Sequence, residues 1–174
     1  KPSTICVSEY DSTAPHGTGN IKAGLNYAMS LYPYEKAHER GFSENLYLDS
    51  ATRTYVEETG GANVLFVDGE GRLVVPQSAT DSILPSITRR SLVSVARDML
   101  GMEVVERPVR FDEVDGFVEC GLCGTAAVIS PVGRIVAGDH EVVFNGGADE
   151  MGPVMTRLRD TLTGIQAGTV EAPE

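Results

Sequence analysis

Hydrophobic positions recur along the chain with two periods, one suited to strands and one to helices. Between residues 45 and 76 they come in short blocks, Asn45–Leu48, Arg53–Glu57, Val64–Val67 and Leu73–Val75. The last two are separated by a Gly69-Glu70-Gly71 turn, and the alternation predicts a sheet buried on one face. Further strands are expected at Met102–Val109, Phe117–Cys120, Ala126–Ser130, Arg134–Val136 and Glu141–Phe144. Helical spacing appears three times. From Ala23 to Arg40, Tyr27, Leu31, Tyr34 and His38 recur near one face, with Gly41 as a stop and His38 expected at the helix surface. Pro33 lacks an amide and collides with the preceding turn, so a kink or break is expected near Leu31 to Pro33. A second amphipathic run follows the segment Ser82 to Thr88, continues through Leu100 and stops at Gly101, and a third, about Glu150 to Gln166, aligns Val154, Leu158, Leu162 and Ile165. Lys1 to Pro15 is polar and rich in turn residues, which reads as an irregular linker. The pattern as a whole predicts an α+β domain, a strand-rich pseudo-barrel with flanking helices.

Composition narrows the class of function. At 174 residues and 41% hydrophobic content the chain fits one globular domain. A formal net charge of -11 argues against nucleic acid or an anionic membrane as partner, since both are polyanions. The sequence has no apolar run of the ~18 residues a membrane helix needs and no signal-peptide pattern, so a cytoplasmic location is expected. Cys6, Cys120 and Cys123 are too few and too uneven for a disulfide framework. The Cys120-Cys123 pair fits a redox couple, half of a zinc site, or simply small residues in a buried strand; no second pair or histidine cluster completes a metal site, and no metal is expected.

The candidate chemistry begins at His16-Gly17-Thr18-Gly19-Asn20-Ile21-Lys22-Ala23-Gly24-Leu25-Asn26-Tyr27, where one lysine lies between flexible backbone segments. A phosphate-binding P-loop is excluded, because Lys22 lies between Ile21 and Ala23 rather than between Gly and Ser or Thr. A lysine held against a bulky group suits imine chemistry with an aldehyde cofactor, and the spacing alone equally fits a solvated loop lysine. Glu57 and Glu58 are adjacent, so in a strand their side chains point to opposite sides and one faces inward. The turn before Ile87 and Thr88 opens a helix whose first amides suit an anion.

Four blocks, GTGNIKAGLNY, LYLDSATRTYVEETGGANVLFV, ILPSITRRSL and CGTAAVISPVGRI, together resemble in their order the cofactor-binding half of the branched-chain amino acid aminotransferases, fold-type IV pyridoxal-phosphate enzymes. The resemblance implies that Lys22 is the Schiff-base lysine. It implies that Tyr27 meets the cofactor's phenolate oxygen and that Glu58 pairs with its pyridine nitrogen, leaving Glu57 solvent-facing. The amides of Ile87 and Thr88, with Thr125, would hold the cofactor phosphate, and the Ala126 amide would receive the substrate carboxylate. Some family members carry a redox CxxC after the GTA segment, whereas here the pair precedes it. In the family an N-terminal domain precedes the linker and supplies part of the site. The chain is therefore expected to be a linker, residues 1–15, and a C-terminal pyridoxal-phosphate domain, residues 16–174, of a larger homodimeric protein, inactive by itself. The implied reaction is reversible transamination of leucine, isoleucine or valine with 2-oxoglutarate. The alternatives left open are another fold-type IV enzyme (D-amino acid or amine transaminase, aminodeoxychorismate lyase) and a non-catalytic remnant of the fold.

Overall fold

The computed structural model describes residues 1–172, so the last two positions of the expected domain lie outside the described residues. Its nine strands form one sheet: β1 Ser3–Val7, β2 Asn45–Leu48, β3 Val56–Thr59, β4 Asn63–Asp68, β5 Leu73–Pro76, β6 Val104–Arg107, β7 Phe117–Gly124, β8 Val128–Ala137 and β9 His140–Val143. The order β3-β2-β1-β8-β7-β4 returns to its start because β3 also pairs with β4. That closes a barrel, with β5 and β6 extending from β4, and β9 from β8. The predicted strand-rich barrel with flanking helices is the fold observed.

Period-2 alternation sorts side chains into two cores. Along β4, Val64 and Phe66 enter the barrel interior, where Phe66 stacks on Phe117 with ring centroids 4.7 Å apart. Leu65 and Val67 point the other way, toward helices α2 (Ile87–Ser94) and α3 (Pro153–Gln166). Helical cover makes β4 buried on both faces, so the one-sided sheet expected from the alternation is corrected here.

Other boundaries moved for identifiable reasons. Ser3–Val7 is not irregular: it is a barrel strand, parallel to both β2 and β8, with Ile5 fully buried. The expected strands at Ala126–Ser130 and Arg134–Val136 are one strand beginning at Val128, carried past Pro131 and Gly133 by a register shift against Ser3 and Thr4. The second helix starts at Ile87 with Ser86 as its cap, since Pro85 disfavours helical geometry at Leu84. It widens into a π turn at Val95–Met99 and stops before Gly101, whose φ is +62°. Helix α1, Gly24–Glu39, runs unbroken through Pro33. It rests on the sheet through Pro33 and Ala37, while Tyr27, Leu31 and Tyr34 are exposed, so the expected apolar face is not its packed face. His38 is exposed, as anticipated, and stacks on Tyr34.

Helix α3 is anchored from a strand. The buried Glu119 carboxylate accepts the amides of Val154 at 3.0 Å and Met155 at 2.9 Å, replacing the side-chain cap that Gly152 cannot give. Glu119→Ala is expected to destabilise the chain by about 2 kcal/mol, read as a lower urea midpoint, because two first-turn amides lose their side-chain acceptor.

Candidate active site

The Lys22 loop is assembled by local hydrogen bonds. Asn26, in the first turn of α1, donates through Nδ2 to the carbonyls of Thr18 at 2.7 Å and Ile21 at 2.9 Å, while its Oδ1 accepts from the Thr18 hydroxyl. Gly19 then passes so close to the Ser82 carbonyl that a Cβ there would overlap it and sit 2.7 Å from Thr13 Oγ1. Gly19→Ala is therefore expected to shift the Lys22 loop and to destabilise by roughly 1–3 kcal/mol, measurable in the same unfolding experiment.

Opposite this loop, β3 and β4 meet in a tight connection, Gly60-Gly61-Ala62, that pairs Glu58 with Asn63. The Asn63 amide donates to Glu58 Oε2 at 2.8 Å and to the Leu84 carbonyl at 3.2 Å, and the Leu84 amide points at both Glu58 oxygens from 3.3 Å. Burial pushes the Glu58 carboxyl up to about 8, reinforced by the charge of Glu57 and opposed by the Leu84 amide and Arg89. Glu57 is not solvent-facing, which corrects the expectation: both faces of β3 are covered, and Glu57 is buried against Ser82. Ser86, standing where the family usually has glycine, has an ordinary extended conformation and caps the Arg89 amide. The Ile87 and Thr88 amides are the remaining free-pointing donors of that turn.

Lys22, Tyr27, Glu58, Ile87 and Thr125 line one cavity of roughly 320 Å3, together with Gly60, Gly61, Asn63, Cys123 and Gly124. Thr88 and Ala126, two of the predicted site residues, are not on its wall. Thr88 is buried behind the first turn of α2, and Ala126 sits on the exposed three-residue turn between β7 and β8, which ends at Val128 with φ +57°. The supporting residues Asn26, Asn63 and Ser82 went unassigned in the sequence; Asn26 and Asn63 lie inside the resembling blocks, the one signal that pointed to them. Cys120 and Cys123, three apart on β7, belong to opposite cores, so they do not face each other as a redox couple would. Burial raises the Cys123 thiol to about 12 and Cys120 well above its ordinary range. Both are expected to resist iodoacetamide in the folded chain and to react only on unfolding, as followed by mass.

Residues 2–135 match the family described as amino-transferase class IV. The chain belongs to the class IV amino-transferases. A branched-chain-amino-acid aminotransferase of Haemophilus influenzae is 48% identical over 99% of this chain and 51% of its own length, and one from Helicobacter pylori is 40% identical over 97% of this chain and 48% of its own. Among solved structures, the Escherichia coli branched-chain amino acid aminotransferase superposes with a TM-score of 0.83 at 31% identity, covering 98% of this chain and 54% of that one. The Thermobaculum terrenum enzyme, solved in its PLP holo form, gives 0.83 at 33% identity over 97% of this chain and 52% of its own. The chain thus spans about half the length of the curated relatives it matches. No described helix of this class IV chain is long and apolar enough to cross a membrane.

Proposed function

We propose that the protein carrying this chain is a pyridoxal-5′-phosphate-dependent transaminase of branched-chain L-amino acids, with 2-oxoglutarate as amino acceptor. The observation that carries the reading is the convergence on one cavity of a lysine, a carboxylate whose pKa burial has raised, and a helix first turn. The names of the half-length relatives supply the substrate class.

The donor set suits the cofactor. A cavity of roughly 320 Å3 is at the scale of small-ligand sites, and its wall offers a lysine amine, a carboxyl group and a helix first turn. When bound, the cofactor supplies an aldehyde that carries the amino group and a ring that takes up the electrons left at the substrate α-carbon. Glu58 would hold a proton at the ring nitrogen. Lys22 Nζ would carry the link to the aldehyde and would be the base that moves a proton at the substrate α-carbon. The Ile87 and Thr88 amides and the Thr125 hydroxyl would bind the phosphate, the Tyr27 hydroxyl would orient the ring, and the Ala126 amide would receive the substrate carboxylate. The rest of the site, in this reading, lies in an N-terminal domain of a cytoplasmic homodimer, and the chain by itself does not turn over.

The test is borohydride reduction of the full-length protein, followed by intact mass and peptide mapping, then an amino-donor screen. A phosphopyridoxyl adduct on the Lys22 peptide and turnover of leucine, isoleucine and valine are expected. An unmodified full-length protein would refute the enzyme reading, and turnover confined to D-amino acids would move it to another member of the class.

A further inference from the structure

Glu57 has no part in the chemistry just described, yet it is only 4% exposed and its charged neighbours, Asp49 and Asp11, are themselves carboxylates. A buried carboxylate without a cation is kept by its hydrogen-bond donors. Here the donors are hydroxyls from one loop: Ser82 Oγ donates to Glu57 Oε1, and Ser78 Oγ approaches the same oxygen at 3.5 Å. Ser78 Oγ in turn accepts the amides of Thr80 at 3.1 Å and Ser82 at 3.0 Å, so residues 78–82 curl around a single carboxylate oxygen.

That loop touches three parts of the site. Ser82 offers the carbonyl against which Gly19 of the Lys22 loop packs. Two residues on, Leu84 presents its amide to Glu58 and its carbonyl to Asn63. Two further on, Ser86 opens α2. An error in the path of Ser82 would therefore reach the lysine, the acid and the phosphate-facing turn together.

We propose that Glu57 is a positioning residue of the active site: by gripping Ser82 it sets the path of residues 82–87 and so fixes the Lys22 loop, the Glu58 amide contact and the first turn of α2 relative to one another. The ligand named for that turn rests on the cofactor reading above; the positioning itself rests on the contacts.

The experiment uses the full-length protein, with amide hydrogen exchange as a cofactor-free readout and titration with pyridoxal phosphate as a second. In Glu57→Ala, amides of residues 82–88 and 19–22 are expected to exchange about tenfold faster, the size of one lost hydrogen bond to a carboxylate, while those of β4 and β7 keep their rates. Pyridoxal phosphate should bind about tenfold more weakly. Glu57→Gln, whose amide oxygen still accepts from Ser82, should restore both. Ser82→Ala should reproduce the loss, and the double variant should be no worse than the worse single one, as coupled partners require. Unchanged exchange over 82–88 in Ser82→Ala and Glu57→Ala, or a rise spread evenly through the barrel, would overturn the proposal. A wild-type protein that binds no pyridoxal phosphate yet shows the localised exchange would leave Glu57 as the anchor of the loop and remove the cofactor reading alone.

Discussion

If the protein is the transaminase proposed above, replacing Lys22 by alanine is expected to lower transamination by the full-length protein roughly a thousandfold or more, since in that reading one side chain would both form the link to the aldehyde and move the proton. The loss should fall on kcat. In the same reading the cofactor's phosphate and ring contacts would come from other elements, so Lys22→Ala should still bind pyridoxal phosphate, only more weakly and without the borohydride-stable adduct. Stability should change little, because Lys22 is exposed in the cofactor-free chain and makes no hydrogen bond to another described residue. Rate, adduct mass and unfolding midpoint on one preparation separate this outcome from simple misfolding. A variant that keeps a tenth of the wild-type rate would show that another group is the base.

Glu58→Gln is expected to act in opposite directions on stability and on activity. With its carboxyl at about 8, Glu58 holds a proton in the folded chain over a range where the unfolded chain has released it. This contribution is complete below the ordinary carboxyl range near pH 4.3. It declines as pH rises, and is lost once pH passes about 8, where folding must bury a charge. Discounted for partial exposure, the decline attributable to this group is about 1–3 kcal/mol. Glu58→Gln removes the titration, so the cofactor-free variant should match wild type near pH 5 and exceed it near pH 8.5 in urea midpoint. In the proposed reading the same change would remove the acid that keeps the ring nitrogen of the bound cofactor protonated, and kcat should drop about a hundredfold or more. A parallel pH dependence in both proteins would locate the sensitivity elsewhere.

The barrel was readable because short apolar blocks such as Val64–Val67 and Leu73–Val75 recur between turn residues, whereas Lys22 stood out only through the resembling block GTGNIKAGLNY. Glu58 could be told from Glu57 only through the resemblance of the block that holds both. The wrong environment for Glu57 had a physical cause: alternation implies one dry face, whereas the loop of residues 78–82 covers Glu57 on the other, and nothing local to Val56–Thr59 announces that cover. Helix α1 misled in the reverse way. Its tyrosines and leucines spell an amphipathic face, yet Pro33 and Ala37 make the contact, small enough to let the helix lie close to the sheet. The loop network escaped altogether, since Ser82 and Glu57 are 25 positions apart and Thr18 and Asn26 are 8. Polar pairs at such separations leave no period to detect.

The strand Ser3–Val7 sits between β2 and β8, and the Ser3 hydroxyl reaches the Pro131 carbonyl across 128 positions. During synthesis β1 must therefore wait, unpaired on one edge, until almost the whole barrel has emerged. Closing a loop that long carries a large entropic cost, and parallel pairings of high sequence separation form slowly. The barrel is consequently expected to shut late in folding, with an apolar, hydrogen-bond-hungry strand exposed in the interim. Chaperone dependence and aggregation on rapid expression should then trace to Thr4-Ile5-Cys6-Val7, far from any catalytic group.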